Sequence, residues 1–118
     1  MNTSADFQFL SISRAMEYIA DEAGVMTLMQ TLRQSLHDDL PRIEQCLAAG
    51  DVPGANEWLH QLKGFTPVFC VDSLVERVVA VEQLSKHGEA AEVRAAYGQL
   101  APQLVQLRTE VAQHLALN

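Results

Sequence analysis

The stretch Gly54-Ala55-Asn56-Glu57-Trp58-Leu59-His60-Gln61-Leu62-Lys63-Gly64-Phe65-Thr66-Pro67-Val68-Phe69 decides the fold. Advanced by about 100° per residue, it puts Ala55, Trp58, Leu62, Phe65 and Phe69 on one side. His60 falls almost opposite Leu62 and Phe69, with Asn56, Lys63, Gly64 and Pro67 one or two turns away. This is the pattern of an amphipathic helix that buries one face and turns a single histidine to solvent. The (i, i+3) neighbour of that histidine is a lysine, and its (i, i+4) neighbour has no side chain. Such an imidazole is cleared for an approaching partner.

Outward from that helix, the chain continues to read as helices. Residues 1–10 form a loosely ordered lead-in, from which Phe7, Phe9 and Leu10 are candidates to dock on the core. Ser13 is placed to cap a short helix to about Glu22, with Met16, Ile19 and Ala20 inward and Gly24 ending it. A long helix follows from about Val25 to Ala49, with Leu28, Leu32, Leu36, Leu40, Ile43 and Leu47 recurring every three or four residues. Pro41 inside it removes a backbone donor and predicts a kink or brief interruption. Asp51 caps the histidine helix, Pro53 lies in its first turn, and Thr66, Pro67 and Val68 predict bending or fraying near its end. A fourth helix runs from about Ser73 to Lys86, capped by Asp72 or Ser73, with Leu74, Val78, Val81 and Leu84 inward; His87-Gly88 stops it. The last runs from about Ala90 to Leu115, with Val93, Tyr97, Leu100, Leu104, Leu107 and Val111 on one side; Pro102 inside it again predicts a kink. Short loops between four long helices make neighbours antiparallel. The expected fold is all-α: an antiparallel up-down-up-down four-helix bundle, with the short N-terminal helix capping one end.

Composition narrows the function. The chain has 118 residues, and 48% of them are apolar. That is the size of one domain, spanning 1–118, with enough apolar side chain for one core. Eight Lys and Arg against fifteen Asp and Glu give a formal charge of −7, which argues against a nucleic-acid binder. No uninterrupted apolar run is long enough to span a membrane, and the first residues lack the basic and apolar regions of a signal peptide; a cytoplasmic protein without membrane contact is expected. Cys46 and Cys70 have no metal-ligand spacing and read as free thiols. No set of His or carboxylate residues suggests a metal, and no Gly-rich nucleotide loop is present, so the chain should bind no cofactor and use no ATP itself.

The motif His60-x-Leu62-Lys63-Gly64, in a helical chain of this length, resembles the signature of histidine-containing phosphotransfer (HPt) domains of two-component phosphorelays. The resemblance covers nearly the whole chain. It implies that His60 carries a phosphoryl group, that Lys63 supports it, and that Gly64 leaves room for the donor. It implies as partner a response-regulator receiver domain or a hybrid sensor kinase, the receiver supplying both the phosphorylated aspartate and the Mg²⁺. Glu82 falls where many family members place a Gln or Glu that orients the ring through a hydrogen bond. The chain departs from the family pattern at Phe65 and Thr66, where small residues are common, at Cys70, where Gly is usual, and at Pro67. These positions touch the packing of the helix end and the shape of the docking surface; His60, Lys63 and Gly64 are intact.

The chemistry is consistent with those residue types. An unperturbed imidazole, titrating at about pH 6.5, is largely neutral at cytosolic pH, and its free ring nitrogen can attack phosphorus. Phosphoryl transfer passes through a loose transition state, so positioning and charge stabilisation do most of the work. Lys63 is the only Lys or Arg between Asp51 and Glu76, one helical turn from His60 and within reach of phosphoryl oxygens. Two functional classes follow. One is a phosphocarrier that relays a phosphoryl group through His60, at Nε2 as the resemblance implies; the other is a helical adaptor of the same fold that binds a receiver without carrying phosphate. An adaptor has no chemical use for His60, Lys63 and Gly64 together. Docking is expected around Asn56, Glu57, His60, Gln61, Lys63, Gly64 and Pro67. His37, His87 and His114 lack this context and read as surface or loop histidines. Trp58, Phe65 and Phe69 read as core, and Asp38, Asp39, Glu89 and Glu92 as solvated charge.

Overall fold

The computed structural model describes residues 7–117. Among them the protein is all-α, with five helices and no strand. Helix α1 (Ile12–Tyr18) is capped by Ser11, not Ser13: the Ser11 hydroxyl accepts from the Arg14 amide, and the helix ends well before Glu22. Ala15 is its one buried residue, Met16 and Ile19 are half-buried, and Ala20 is exposed. Gly24 does not end this helix. It lies in the first turn of α2 (Glu22–Ala48), which Asp21 starts by accepting from the Ala23 amide. A Cβ at Gly24 would stand 2.9 Å from Ile19, so the missing side chain lets the end of α1 approach α2.

The inner stripe of α2 is Val25, Met29, Leu32, Leu36, Leu40, Ile43 and Leu47. Leu28, expected inside, is 42% exposed, because Met29, one residue further round the helix, takes that place. The helix is not interrupted at Pro41. That ring is exposed, so the lost donor falls on the solvent side while the inner contacts continue. At the other end Gly50 adopts φ +74°. Its amide reaches the Leu47 carbonyl at 3.1 Å and the Asp51 amide reaches the Cys46 carbonyl at 2.7 Å, the paired bonds of a Schellman ending.

Helix α3 (Val52–Phe69) is capped by Asp51, whose carboxylate accepts from the Gly54 amide at 3.0 Å. Its buried residues are Ala55, Leu59, Leu62, Thr66 and Phe69. The buried stripe is thus rotated from the expected one: Leu59 and Thr66 hold its centre, while Trp58 and Phe65 are half-buried at its edges. Trp58 carries the Arg42 guanidinium 4.7 Å above its ring. The helix runs through Pro67 to Phe69 without fraying.

Helix α4 (Asp72–Ser85) starts at Val71 with no side-chain cap. Asp72 instead faces Arg14, at 2.6 Å, which explains why it does not cap. Leu74, Val78 and Val81 are buried as expected and Leu84 half-buried. Helix α5 (Ala90–Leu117) continues through Pro102 and buries Val93, Tyr97, Leu100, Leu104, Leu107 and Val111.

Four helices close a ring around this core: α2 packs on α3 and α5, α4 packs on α3 and α5, and α1 lies against α2 and α3. The molecule measures 44 × 22 × 21 Å. Of the expected lead-in, residues 1–6 lie outside the described residues, and Phe9 and Leu10 dock on the core as expected. Phe9 and Leu10 are buried, and Leu10 bridges to Cys70. The Glu110 carboxylate accepts from three successive amides, Gln8 at 2.8 Å and Phe9 and Leu10 at 2.9 Å. Cys46 and Cys70 are free thiols; burial pushes the Cys70 thiol up to about 12. No helix among the described residues is long and apolar enough to cross a membrane.

Candidate functional site

The solvent ridge of α3 is Glu57, His60, Gln61 and Gly64, all exposed, the one-turn spacing of a single helix face. The His60 side chain is 66% exposed, so its ring is open to a partner. A Cβ on Gly64 would meet no heavy atom within 4 Å. Packing therefore does not demand the glycine, and what its bareness provides is open space beyond the imidazole. Pro67 and Asn56 flank the ridge and are half-buried.

Beneath this ridge α4 supplies a buried carboxylate. Glu82 has no side-chain exposure. Its Oε1 accepts from Lys63 Nζ at 3.0 Å and lies 3.7 Å from Lys86 Nζ. Its Oε2 accepts from the Asn56 amide at 3.0 Å. Burial alone would push Glu82 up; the bonds from Lys63 and Asn56 and the charges of Lys63 and Lys86 outweigh it and hold the carboxyl below its usual range. Asn56, expected at the docking surface, thus turns its amide inward, where it also reaches Ser85 Oγ at 2.8 Å. The Ser85 hydroxyl donates in turn to the Glu82 carbonyl at 2.6 Å.

His60 Nδ1 is 3.8 Å from Glu82 Oε2. That is close enough for an ion pair once the ring is protonated and too long for the expected orienting hydrogen bond. Nδ1 is the nitrogen on the Glu82 side, which leaves Nε2 as the other face of the ring.

Two neighbours escaped the sequence reading. Lys63 is the lone cation of its own segment, but the fold brings Lys86 to the same carboxylate. Ser85 closes the back of the cluster. The signal for Lys86 was its (i, i+4) spacing from Glu82 on one helix; nothing in the linear order joined that pair to His60. Of the four unusual residues after the motif, Thr66 and Cys70 are buried, and Phe65 and Pro67 are half-buried, so the first two act on packing. His37 and His87 are exposed as expected. His114 is not a plain surface residue: it sits in α5, half-buried, with Phe7 edge-on at 6.3 Å, and burial lowers its pKa. Asp39 is buried beside Arg42, 3.2 Å away, and is not a solvated charge. Among the described residues no three His, Cys, Asp or Glu side chains are placed to hold a metal ion.

A ring of four helices carrying an open histidine, a paired lysine and a bare glycine on one face has the layout of a helical phosphocarrier. Residues 27–116 match the Hpt domain family, and the chain belongs to it. Membership associates it with histidine phosphotransfer in two-component systems. No curated protein and no solved structure gives a significant match.

Proposed function

We propose that this protein is the histidine phosphotransfer intermediate of a phosphorelay, taking a phosphoryl group from a receiver-domain aspartate onto His60 and passing it to a response regulator. The observation that carries the reading is the exposed His60 ring beside an ion-paired lysine, with open space at Gly64. Nε2 attacks the aspartyl phosphate, since Nδ1 lies on the Glu82 side. Lys63 neutralises charge on the transferred group and takes no proton. Glu57, Gln61 and the rim at Asn56 and Pro67 meet the receiver. The receiver supplies Mg²⁺, and this chain acts in the cytoplasm as a single domain that uses no nucleotide itself.

The same reading includes an up-down-up-down topology with α1 over one end. It is supported by Asn56, early in α3, reaching Ser85 at the end of α4. Arg94, early in α5, likewise reaches the Leu47 carbonyl at the end of α2, 2.9 Å away.

The test is phosphotransfer from a phosphorylated receiver to the wild-type chain, to His60→Gln and to Lys63→Ala. Wild type should take acid-labile, alkali-stable label, His60→Gln none, and Lys63→Ala should be labelled more slowly. A folded wild-type chain that stays unlabelled with several receivers would overturn the phosphocarrier reading and favour the adaptor.

A further inference from the structure

Glu82 has more partners than a ring-orienting residue needs, and none of its short contacts is the ring. Oε1 holds Lys63 at 3.0 Å with Lys86 at 3.7 Å, and Oε2 holds Asn56 at 3.0 Å, while His60 stands off at 3.8 Å. The carboxylate is satisfied without the imidazole. Two ammonium groups share the one buried carboxylate, so neither is fully neutralised by it.

The mobility of the three groups differs. The Glu82 side chain is fully enclosed, whereas those of Lys63 and Lys86 are 29% and 46% exposed. A lysine head at the edge of solvent can turn on its flexible stem; the buried carboxylate cannot follow it.

We infer that Glu82 is a counter-charge that holds Lys63 and Lys86 ready beneath His60 and competes with the phosphoryl group for them, making Lys86 a second phosphoryl-facing cation and Glu82 the residue that sets how readily the group leaves. The inference rests on His60 as phosphoacceptor and deepens that reading. In the forward step the Nε2–P bond forms as the acyl O–P bond of the receiver breaks. The bonding pair leaves with the receiver's carboxylate, and the Nδ1 proton is released to solvent, leaving a neutral phosphoimidazole that makes no ion pair with Glu82. The group that arrives is dianionic. The ammonium heads then divide between its oxygens and Glu82, which remains anchored by Asn56. Because Glu82 retains a share of both cations, the phosphoryl group is held less firmly than two free lysines would hold it, which suits a carrier that must also give it up.

The experiment measures the equilibrium ratio of phosphorylated chain to phosphorylated receiver, and the lifetime of isolated phospho-His60, at low and high salt. The proteins are wild type, Glu82→Gln, Lys86→Ala and Lys86→Arg. Glu82→Gln should raise the ratio about fivefold, the size of effect expected from one freed charged contact. Lys86→Ala should lower it about threefold, by less at high salt, and Lys86→Arg should restore it. Lys86 is at the surface, so its variants fold even if the Glu82 variant does not. A fall in the ratio with Glu82→Gln, or no change with Lys86→Ala, overturns the inference and leaves His60 as phosphoacceptor. A wild-type chain that takes no phosphoryl group overturns both.

Discussion

A methyl group at Gly64 would touch nothing within 4 Å, yet a glycine inside a helix costs about 1 kcal/mol relative to alanine. Gly64→Ala should therefore raise the unfolding free energy by up to about 1 kcal/mol in urea titrations while slowing phosphotransfer to His60. Unchanged transfer would remove Gly64 from the path of the incoming aspartyl phosphate. The histidine, lysine and glycine were all legible from their order in the chain, because one helical turn fixes their mutual placement. The cluster beneath them was only half legible. Glu82 entered through family resemblance as a ring-orienting residue, and the fold gives its oxygens to Lys63, Lys86 and Asn56. That outcome depends on how α4 is set against α3, which no local spacing encodes. Trp58 shows the same limit at a smaller scale: a turn of the helix by a fraction of a residue moves it from the centre of the buried face to its edge, under Arg42.

Among the elements, the segment entering α1 depends most on a distant residue. Its amides at Gln8, Phe9 and Leu10 all end on the Glu110 carboxylate of α5, which is 1% exposed and also accepts from Gln106 at 3.0 Å. The Ser11 amide adds a bond to the Phe69 carbonyl at 2.7 Å, and Arg14 one to the Cys70 carbonyl, also at 2.7 Å. In Glu110→Gln the amide NH₂ confronts backbone donors, so part of this set is lost. Stability should fall by about 1–3 kcal/mol, and the Gln8, Phe9 and Leu10 amides should exchange with solvent faster. Labelling of His60 should persist, since the segment is fastened at the far end of α3. Exchange rates equal to those of wild type would show that Glu110 does not anchor the segment. The prolines teach a related lesson. Pro41 and Pro102 do not interrupt their helices; each is exposed on a long helix whose other face is packed, so tertiary contact keeps the helix continuous despite the lost donor.

For the whole molecule, acid is the most direct probe of the buried charges. Burial works against the Glu82 carboxylate, but Lys63, Asn56 and Lys86 outweigh it and hold its folded value below the ordinary one. A depressed carboxyl adds stability above its unfolded value of about 4.3 and loses it as pH falls through the folded value. The difference in unfolding free energy between wild type and Glu82→Gln should thus be largest near neutrality and shrink below about pH 4; a gap that stays constant to pH 2 would mean that Glu82 is not held ionised by this cluster. Asp39 runs the other way: burial raises it against the bond from Arg42, so its ionised form opposes folding near neutral pH and ceases to as pH falls through the raised value. What the sequence by itself determined is the set of helices, the cap at Asp51, the inward stripe of α5 and the exposed face of His60. All of these follow from contacts within a few residues, where helical periodicity converts order into direction. Only the tertiary structure decided that Lys86 and Asn56 converge on Glu82, that Leu28 faces out, and that Glu110 captures residues 8–10. Those are pairings between segments far apart in the chain, selected by how the helices pack and by the cost of leaving buried carboxylates and backbone amides without partners.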